Sequence, residues 1–420
     1  MILHLSTFHL EGGAGVAATR LHRALLKSGV DSKMLIPATG ATEIGVTALA
    51  QNSWEKKKAW GRFVGERLSF YTHEKDNSVR FAFSPAAVGA DISKHPLVLE
   101  ADVIHLHWIN FGFLSLSSLD KLFSLGKPIV WTLHDMWTFT GGCHYSRGCE
   151  NYLIHCHNCP YLFKPDEYDI SFAQFESKIA LYAKTKMALI SPSHWLDNLV
   201  KNAFLTRHIT SKSIPNCLDT DLFTPKDKDK IRQNLNLPTQ KKLILFAGAN
   251  TQDVRKGFVY FREALEKLGE STNAYEVLIF GKSRPDSFAS FPVPVNYLGT
   301  ITDPEAMVYA YNAADVIVVP SLEDNLPNTI MEALSCGTPV VGFKTGGIPE
   351  MIDHQQNGYL SDVKSSESLA AGIKWVLEQN KEGALSTHAR QKVLRLYAEK
   401  IVVQQYMAVY ESFNEVFTSK

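Results

Sequence analysis

The sequence predicts an α/β protein made of two doubly wound domains, and three observations carry that prediction. Short apolar runs alternate with amphipathic stretches, the alternation occurs once in each half, and a proline-bearing charged segment separates the halves. In the first half the strand-like runs are 2–5, 33–36, 103–108, 129–133 and 187–191. They are rich in Ile, Leu and Val with little polar alternation, which is how parallel strands covered on both faces read. Helical patterns intervene at 16–28, 117–125 and 171–184. In the second half the runs are 243–247, 276–280, 295–298, 316–319 and 340–343, with helical patterns at 257–268, 304–313 and 328–335. The stretch 206–240 holds Pro215, Pro225 and Pro238 and the alternating charges of 226–230, so it reads as the linker. The last pattern, 388–417, reads as one long helix with Val393, Leu396, Ile401, Val402, Tyr406 and Tyr410 among its apolar positions. It is too long to close only the second domain and is expected to pack back on the first. The expected domains are 1–205, 206–395 and a returning helix 396–420.

Length and charge narrow the function. At about 150 residues per domain, 420 residues suit two or three domains. Lys plus Arg and Asp plus Glu both number 43, so the formal net charge is zero, against a main role in binding nucleic acid. No apolar run approaches the roughly 20 residues of a membrane span. The segment MILHLSTFHLEGG has neither a basic flank nor a small-residue cleavage site, so no signal peptide is expected there, and a cytoplasmic location is.

In doubly wound domains ligands bind beyond the carboxyl ends of the strands, and here the expectation is a cleft between two such ends. The run 316–319 is followed by Pro320-Ser-Leu-Glu-Asp-Asn-Leu-Pro-Asn-Thr-Ile-Met-Glu332 and then by Gly337. It reads as a loop and a helix, with Asn325 as N-cap and Pro327 in the first turn. Asp324 and Glu332 are separated by seven residues; each carboxylate can accept paired hydroxyl bonds from a sugar or ribose. The amides at the helix start favour a phosphate. As isolated acids they would read as a capping acid and a surface acid. Glu323 offers a second register, and the spacing selects Asp324.

This pattern resembles the acidic–seven residues–Glu signature of the retaining glycosyltransferases of family 4, which have the GT-B fold. Asn216-Cys-Leu-Asp219-Thr-Asp-Leu-Phe223 is similar to that family's segment at the domain junction. Arg255-Lys256-Gly257 resembles its Lys-Gly segment, Gly346-Gly-Ile-Pro-Glu350 its Gly-Gly-Pro-Glu turn, and Asn357-Gly358 its closing pair. The resemblance covers nearly the whole chain. It implies transfer of a hexose from a UDP- or GDP-sugar to an acceptor hydroxyl with retention, without a metal, in bacterial surface polysaccharide synthesis on a lipid-linked oligosaccharide. Lys256 with Arg255 would neutralise the diphosphate, Glu332 would bind the ribose, and Asp324 would hold the sugar with the amides of Asn325 and Leu326. Leu298 and Gly299 would line the base pocket. His134, in Thr132-Leu-His134-Asp135, would lie beside the transferred sugar with Asp135 orienting it. The chain departs from the family in having Asp at 324 in place of Glu. It also has Gly248-Ala249-Asn250 where a Gly-Arg pair is usual, and Arg255 is the expected substitute. Asp219-Thr-Asp221 then belongs to the junction and not to a metal site.

Other residues point elsewhere or stay open. Glu11-Gly-Gly-Ala-Gly15 follows the first run and reads as a glycine loop opening the helix from Val16, with Gly13 and Gly15 letting backbone approach a ligand and offering amides at a helix N-terminus. It also fits a dinucleotide fingerprint, so an NAD-dependent oxidoreductase is the alternative from another class; a non-catalytic sugar-nucleotide-binding protein is the third. His105 and His107 read as structural or pocket-lining. Cys143, Cys149, Cys156 and Cys159, in a segment 141–160, have the spacing Cys-x5-Cys-x6-Cys-x2-Cys, which suits a structural zinc; His144, His155 and His157 are substitute ligands, and disulfides or reduced thiols are the alternatives. Cys217 and Cys336 read as buried thiols. Residues 51–71 carry Lys56, Lys57, Lys58, Arg62 and Arg67 against Glu55 and Glu66, interleaved with Trp54, Trp60, Phe63, Phe70 and Tyr71. That composition suits either a helix on an anionic membrane face or an amphipathic helix packed on the sheet.

Overall fold

A computed structural model describes residues 1–38, 43–250, 253–269, 274–282, 288 and 291–418. The chain divides into two compact units, Met1–Ile214 with Val403–Lys420, and Pro215–Val402.

The first unit is a seven-stranded parallel sheet of β1 (Ile2–Leu5), β2 (Ser32–Ile36), β3 (Val46–Ala48), β4 (Val103–Leu106), β5 (Ile129–Thr132), β6 (Met187–Ser191) and β7 (Thr210–Ser213), in the order β3-β2-β1-β4-β5-β6-β7. The centre is entirely buried, as Leu3, Leu5, Ile104, Leu106, Ile129 and Trp131 all join one core. Covering helices include Gly12–Lys27, Leu116–Phe123, Ile170–Tyr182 and His194–Asn202.

The second unit is a six-stranded parallel sheet of β8 (Lys242–Asn250), β9 (Tyr275–Lys282), β10 (Val295–Tyr297), β11 (Val316–Val319), β12 (Val340–Phe343) and β13 (Gly358–Ser361), in the order β10-β9-β8-β11-β12-β13. Alternate residues feed two different cores: Leu243, Leu245, Leu278 and Ile317 on one face, Ile244, Phe246, Val277 and Val318 on the other. That is why these strands read as unbroken apolar runs.

Three expectations need correction. The stretch 206–240 is not simply a linker: it contains β7, and Lys228–Asn234 is a helix. β7 has the sequence TSKS and pairs at the sheet edge, so tertiary pairing and not an apolar pattern makes it a strand. The first unit accordingly runs to Ile214. The pattern 388–417 is two helices, Ala384–Leu396 and Glu399–Thr418. They break where Leu218 N–H bonds the Tyr397 carbonyl (2.9 Å) and Leu218 pairs with Ala398. Finally, the helix expected from Val16 starts at Gly12, so Gly12, Gly13 and Gly15 form its first turns and do not precede it. A Cβ at 15 would lie 2.8 Å from the Cβ of Phe8, so helix packing demands that glycine without any ligand. Residues 6–11 separate β1 from this helix, a longer connection than the tight turn of a dinucleotide fingerprint.

Candidate active site

In the second sheet β8 is flanked by β9 and β11, and the chain crosses from β10 over to β11. This is a topological switch point, beyond whose carboxyl ends ligands bind. Two segments leave it. One turns after β8 through Val254–Lys256; the other is the loop from Pro320 to Pro327, followed by the helix Asn328–Ser335. They are stitched by Leu322 N–H donating to the Arg255 carbonyl (2.7 Å). At Gly257, φ is +65° and a Cβ would sit 1.9 Å from the Pro320 carbonyl oxygen, so the close approach of these segments needs glycine.

This stitching brings Lys256 Nζ to 2.6 Å from Asp324 Oδ2, across a separation of 68 positions. Ser321 Oγ donates to the same carboxylate oxygen (3.3 Å). The carboxylate that meets Lys256 is therefore that of Asp324. The loop is held from behind: Gly347 N–H bonds the Asp324 carbonyl (3.1 Å) and Thr345 Oγ1 bonds that of Leu322 (3.0 Å). Asp324, Asn325 and Leu326 are buried. Arg255 pairs with Asp253 (2.8 Å). Glu332, also buried, accepts from the Tyr311 hydroxyl (2.6 Å). Leu298 N–H bonds the Ile279 carbonyl (2.8 Å) and Gly281 N–H that of Gly299 (2.8 Å), so the Leu298–Gly299 turn follows β10 and runs alongside the last residues of β9. Two details differ from expectation. The helix starts at Asn328 with Pro327 as N-cap, so Asn325 belongs to the loop. Asp219 caps a local turn through the N–H groups of Asp221 and Leu222 (3.0 Å each), and Asn216 bonds Asn328 (3.1 Å), so the junction motif is structural. Ala249 and Asn250 side chains lie outside the described residues.

In the first unit His134 and Asp135 follow β5. Asp135 does not orient His134. It accepts from Trp108 Nε1 (2.7 Å), Trp137 N–H (2.8 Å) and His144 Nδ1 (2.7 Å). Burial alone would raise its pKa, but His144 and these donors hold it below the usual range. His134 is instead bonded to His107 (3.2 Å). Burial pushes His134 down to about 4, against a smaller opposing effect of Asp135. Sequence reasoning missed three partners: His107, His144 and Tyr311. The alternation His105-x-His107 was the available signal for the first.

The four cluster cysteines line one small cavity with Phe83, His157 and Tyr161. Cys156 Sγ accepts from Gly141 N–H (3.1 Å), and Cys159 accepts a backbone bond from Tyr161. Burial pushes both thiols up to about 12. Two substitute ligands are engaged elsewhere: His144 with Asp135 and Ser84, His155 with Glu176. Among the described residues, the one group of three or more side chains placed to hold a metal is His4, His105 and His107, with ligand atoms within 4.8 Å of one another, and the four cysteines do not form such a group. The donor chemistry fits zinc, and the thiols would have to rearrange into a ligand set around it.

The helix Ser53–Tyr71 exposes Trp54, Lys56, Lys57, Lys58 and Trp60. Glu66 is not a surface charge, since it accepts from the N–H groups of Ala86 (2.8 Å), Ala87 (2.9 Å) and Val88 (3.2 Å). Among the described residues no helix is long and apolar enough to cross a membrane.

Two parallel, doubly wound Rossmann-like sheets are the architecture of the GT-B fold. Solved structures share this fold: sucrose-phosphate synthase from Thermosynechococcus elongatus (TM-score 0.69, 18% identity, covering 100% of this chain and 99% of that one) and Anabaena HepE in complex with UDP-glucose (0.65, 16%, 98% and 99%). Residues 11–222, just over half of the chain, match the model of Glycosyltransferase Family 4, and residues 227–392 match that of Glycosyl transferases group 1. The chain belongs to glycosyltransferase family 4. A relative from Escherichia coli strain K12, the candidate colanic acid biosynthesis glycosyl transferase WcaC, is 27% identical over 330 residues, 76% of each chain. The chain is thus a glycosyltransferase.

Proposed function

We propose that the protein transfers a hexose from a UDP- or GDP-sugar to an acceptor hydroxyl with retention, building a bacterial surface polysaccharide on a lipid-linked oligosaccharide. The observation that carries this reading is the Lys256–Asp324 pair at the switch point of the second sheet. Lys256 would leave Asp324 for the diphosphate, and Asp324 would turn to the sugar hydroxyls. Arg255 would support the diphosphate, Glu332 the ribose, the amides of Asn325 and Leu326 the sugar, and Leu298 the base. His134 would bond a hydroxyl of the sugar. In the transfer, the bond from the anomeric carbon to the phosphate oxygen breaks and the bond to the acceptor oxygen forms on the same face. The acceptor proton passes to the departing phosphate, and a nucleoside diphosphate leaves. The protein positions the partners and stabilises the leaving charge. No step needs a metal, so activity is expected to survive chelation.

HepE, whose complex holds UDP-glucose, supports a nucleotide-sugar donor for a chain of this fold. The exposed Trp54, Lys56–58 and Trp60 support contact with an anionic membrane face, where a lipid-linked acceptor would lie. We also assign a structural zinc to Cys143, Cys149, Cys156 and Cys159, tested by metal analysis: no stoichiometric zinc removes it. The function is tested by screening nucleotide sugars for binding and turnover, with the anomeric configuration of the product read by NMR. Stabilisation by UDP or GDP but not NAD, and an axial-to-axial or equatorial-to-equatorial outcome, supports the reading. A product of inverted configuration, or no turnover of any nucleotide sugar, contradicts it.

A further inference from the structure

A cavity of about 670 Å3 lies in the first unit where β6 and β7 begin. Ala188 and Thr210, both in its lining, are paired there, so it sits at the end of the sheet opposite His134, which follows β5. Its walls are mainly apolar. Ile179 and Tyr182 come from the end of the helix Ile170–Tyr182, Phe204, Leu205 and Ile209 from the segment after His194–Asn202, and Phe413 from the final helix. The volume falls in the range of roughly 300–1,000 Å3 that small-molecule sites occupy.

The rim is cationic. Lys186 and Arg207 both line the cavity, and both are exposed. Among the described residues neither has an ion-pair partner, whereas the neighbouring Lys184 pairs with Asp120 (2.8 Å). No acidic side chain lines the cavity among the described residues. The Arg207 guanidinium lies over the Phe204 ring, 4.8 Å from its centre, and its Nε donates to His208 Nε2 (3.2 Å). The charge is thereby held at the edge of the apolar wall, and the Nη groups make no hydrogen bond among the described residues.

Basic residues often gather where helices end, because the last carbonyls carry partial negative charge. Here backbone groups already serve those carbonyls. The N–H groups of Ala183, Lys184 and Thr185 bond the carbonyls of Ile179, Leu181 and Tyr182, and the N–H of Arg207 bonds that of Ala203. Neither the Lys186 nor the Arg207 side chain bonds a helix carbonyl. Two cations without counter-ions suit a dianion. A phosphate monoester carries about −1.5 to −2 charges near pH 7, and its oxygens match a guanidinium fork. The walls behind the cations suit a hydrocarbon chain. A nucleotide sugar, polar along its length, would leave hydroxyls unpaired against those walls.

We propose that this cavity binds one molecule of a single-chain alkyl phosphate, with its phosphate on Lys186 and Arg207 and its chain against Phe204, Ile209 and Phe413. The site belongs to the first unit alone and does not depend on the donor chemistry proposed for Lys256 and Asp324.

The test is calorimetric titration of decyl phosphate, kept below its micelle concentration, into the full chain at pH 7. One molecule is expected to bind per chain. Decanol, which lacks the charge, and inorganic phosphate, which lacks the chain, should each bind more weakly by about tenfold or more. Lys186→Ala and Arg207→Ala should each weaken decyl phosphate about tenfold with an unchanged Tm, since both side chains are exposed. Lys256→Ala should bind decyl phosphate as the wild type does, which separates this cavity from the donor site. Absence of binding overturns the proposal, as does full affinity in both Lys186→Ala and Arg207→Ala. Loss of binding in Lys256→Ala, or decanol or inorganic phosphate binding as tightly as decyl phosphate, overturns it too. So does a stable dimer in sedimentation that Phe413→Asp dissociates, which would show a second copy of the chain covering the cavity.

Discussion

The carboxyl ends of the two sheets solve different problems. In the second unit the strand-end residues are charged and face each other, Lys256 against Asp324, each with its counter-ion in place. In the first unit the strand-end residues are uncharged imidazoles and one carboxylate, Asp135, already served by three donors. The difference teaches how each can respond to a ligand. A cation that trades one anion for another can bind a diphosphate without leaving an orphaned charge. A carboxylate fully used inside the protein has nothing to trade, and its neighbours act as fixed donors. Substitutions in the second unit should therefore strike binding and turnover, and substitutions in the first should strike stability as well.

The largest effect expected on this comparison is at Lys256. Lys256→Ala should reduce transfer by about 10²–10³-fold with little change in Tm, because the side chain is partly exposed and its loss removes charge stabilisation of the leaving group. Asp324→Asn sharpens the point. It should lose transfer by a similar factor while UDP or GDP alone binds as well as before or better, since Lys256 is released. Equal losses of nucleotide affinity in both variants would break the distinction. Next is Asp135→Ala, which orphans Trp108, His144 and Trp137 N–H together. It should cost about 2–4 kcal/mol in urea unfolding. A loss near zero would mean that the first unit's carboxylate is not the internal support described above. Gly257→Ala should cost about 1–3 kcal/mol and weaken donor binding with it, because the Pro320 carbonyl occupies the space of the new Cβ. The smallest effect is on pH. The folded His134 pKa of about 4 lies below its ordinary 6.5, so between these values the unfolded chain binds more protons. Stability should fall as pH drops from 6.5 towards 4, and His134→Gln should flatten that slope in a pH series of unfolding curves.

Much of this was legible in the sequence, for physical reasons. A parallel strand covered on both faces cannot alternate, so the central strands announced themselves as apolar runs, Val316–Val319 most clearly. Thr210–Ser213 did not, because an edge strand needs a partner and not an apolar sequence. The order of motifs along the chain put Lys256 and Asp324 in the candidate site. Their contact was invisible, since it depends on which strands are neighbours and on a glycine tolerating a carbonyl 1.9 Å from an absent Cβ. Asp135 was assigned to His134 because the two are adjacent in sequence. At a strand end consecutive side chains diverge, and the partners came from Trp108, Trp137 and His144 instead. The contact of His134 with His107 joins the ends of two strands, so only register could reveal it.

The central claim is that Lys256 exchanges Asp324 for a nucleoside diphosphate. Calorimetric titration of UDP and GDP into the wild type, Lys256→Ala and Asp324→Asn tests it directly. The account predicts that one of the two nucleotides binds the wild type, binds Lys256→Ala at least tenfold more weakly, and binds Asp324→Asn with undiminished affinity. Equal affinity for the wild type and Lys256→Ala would contradict it.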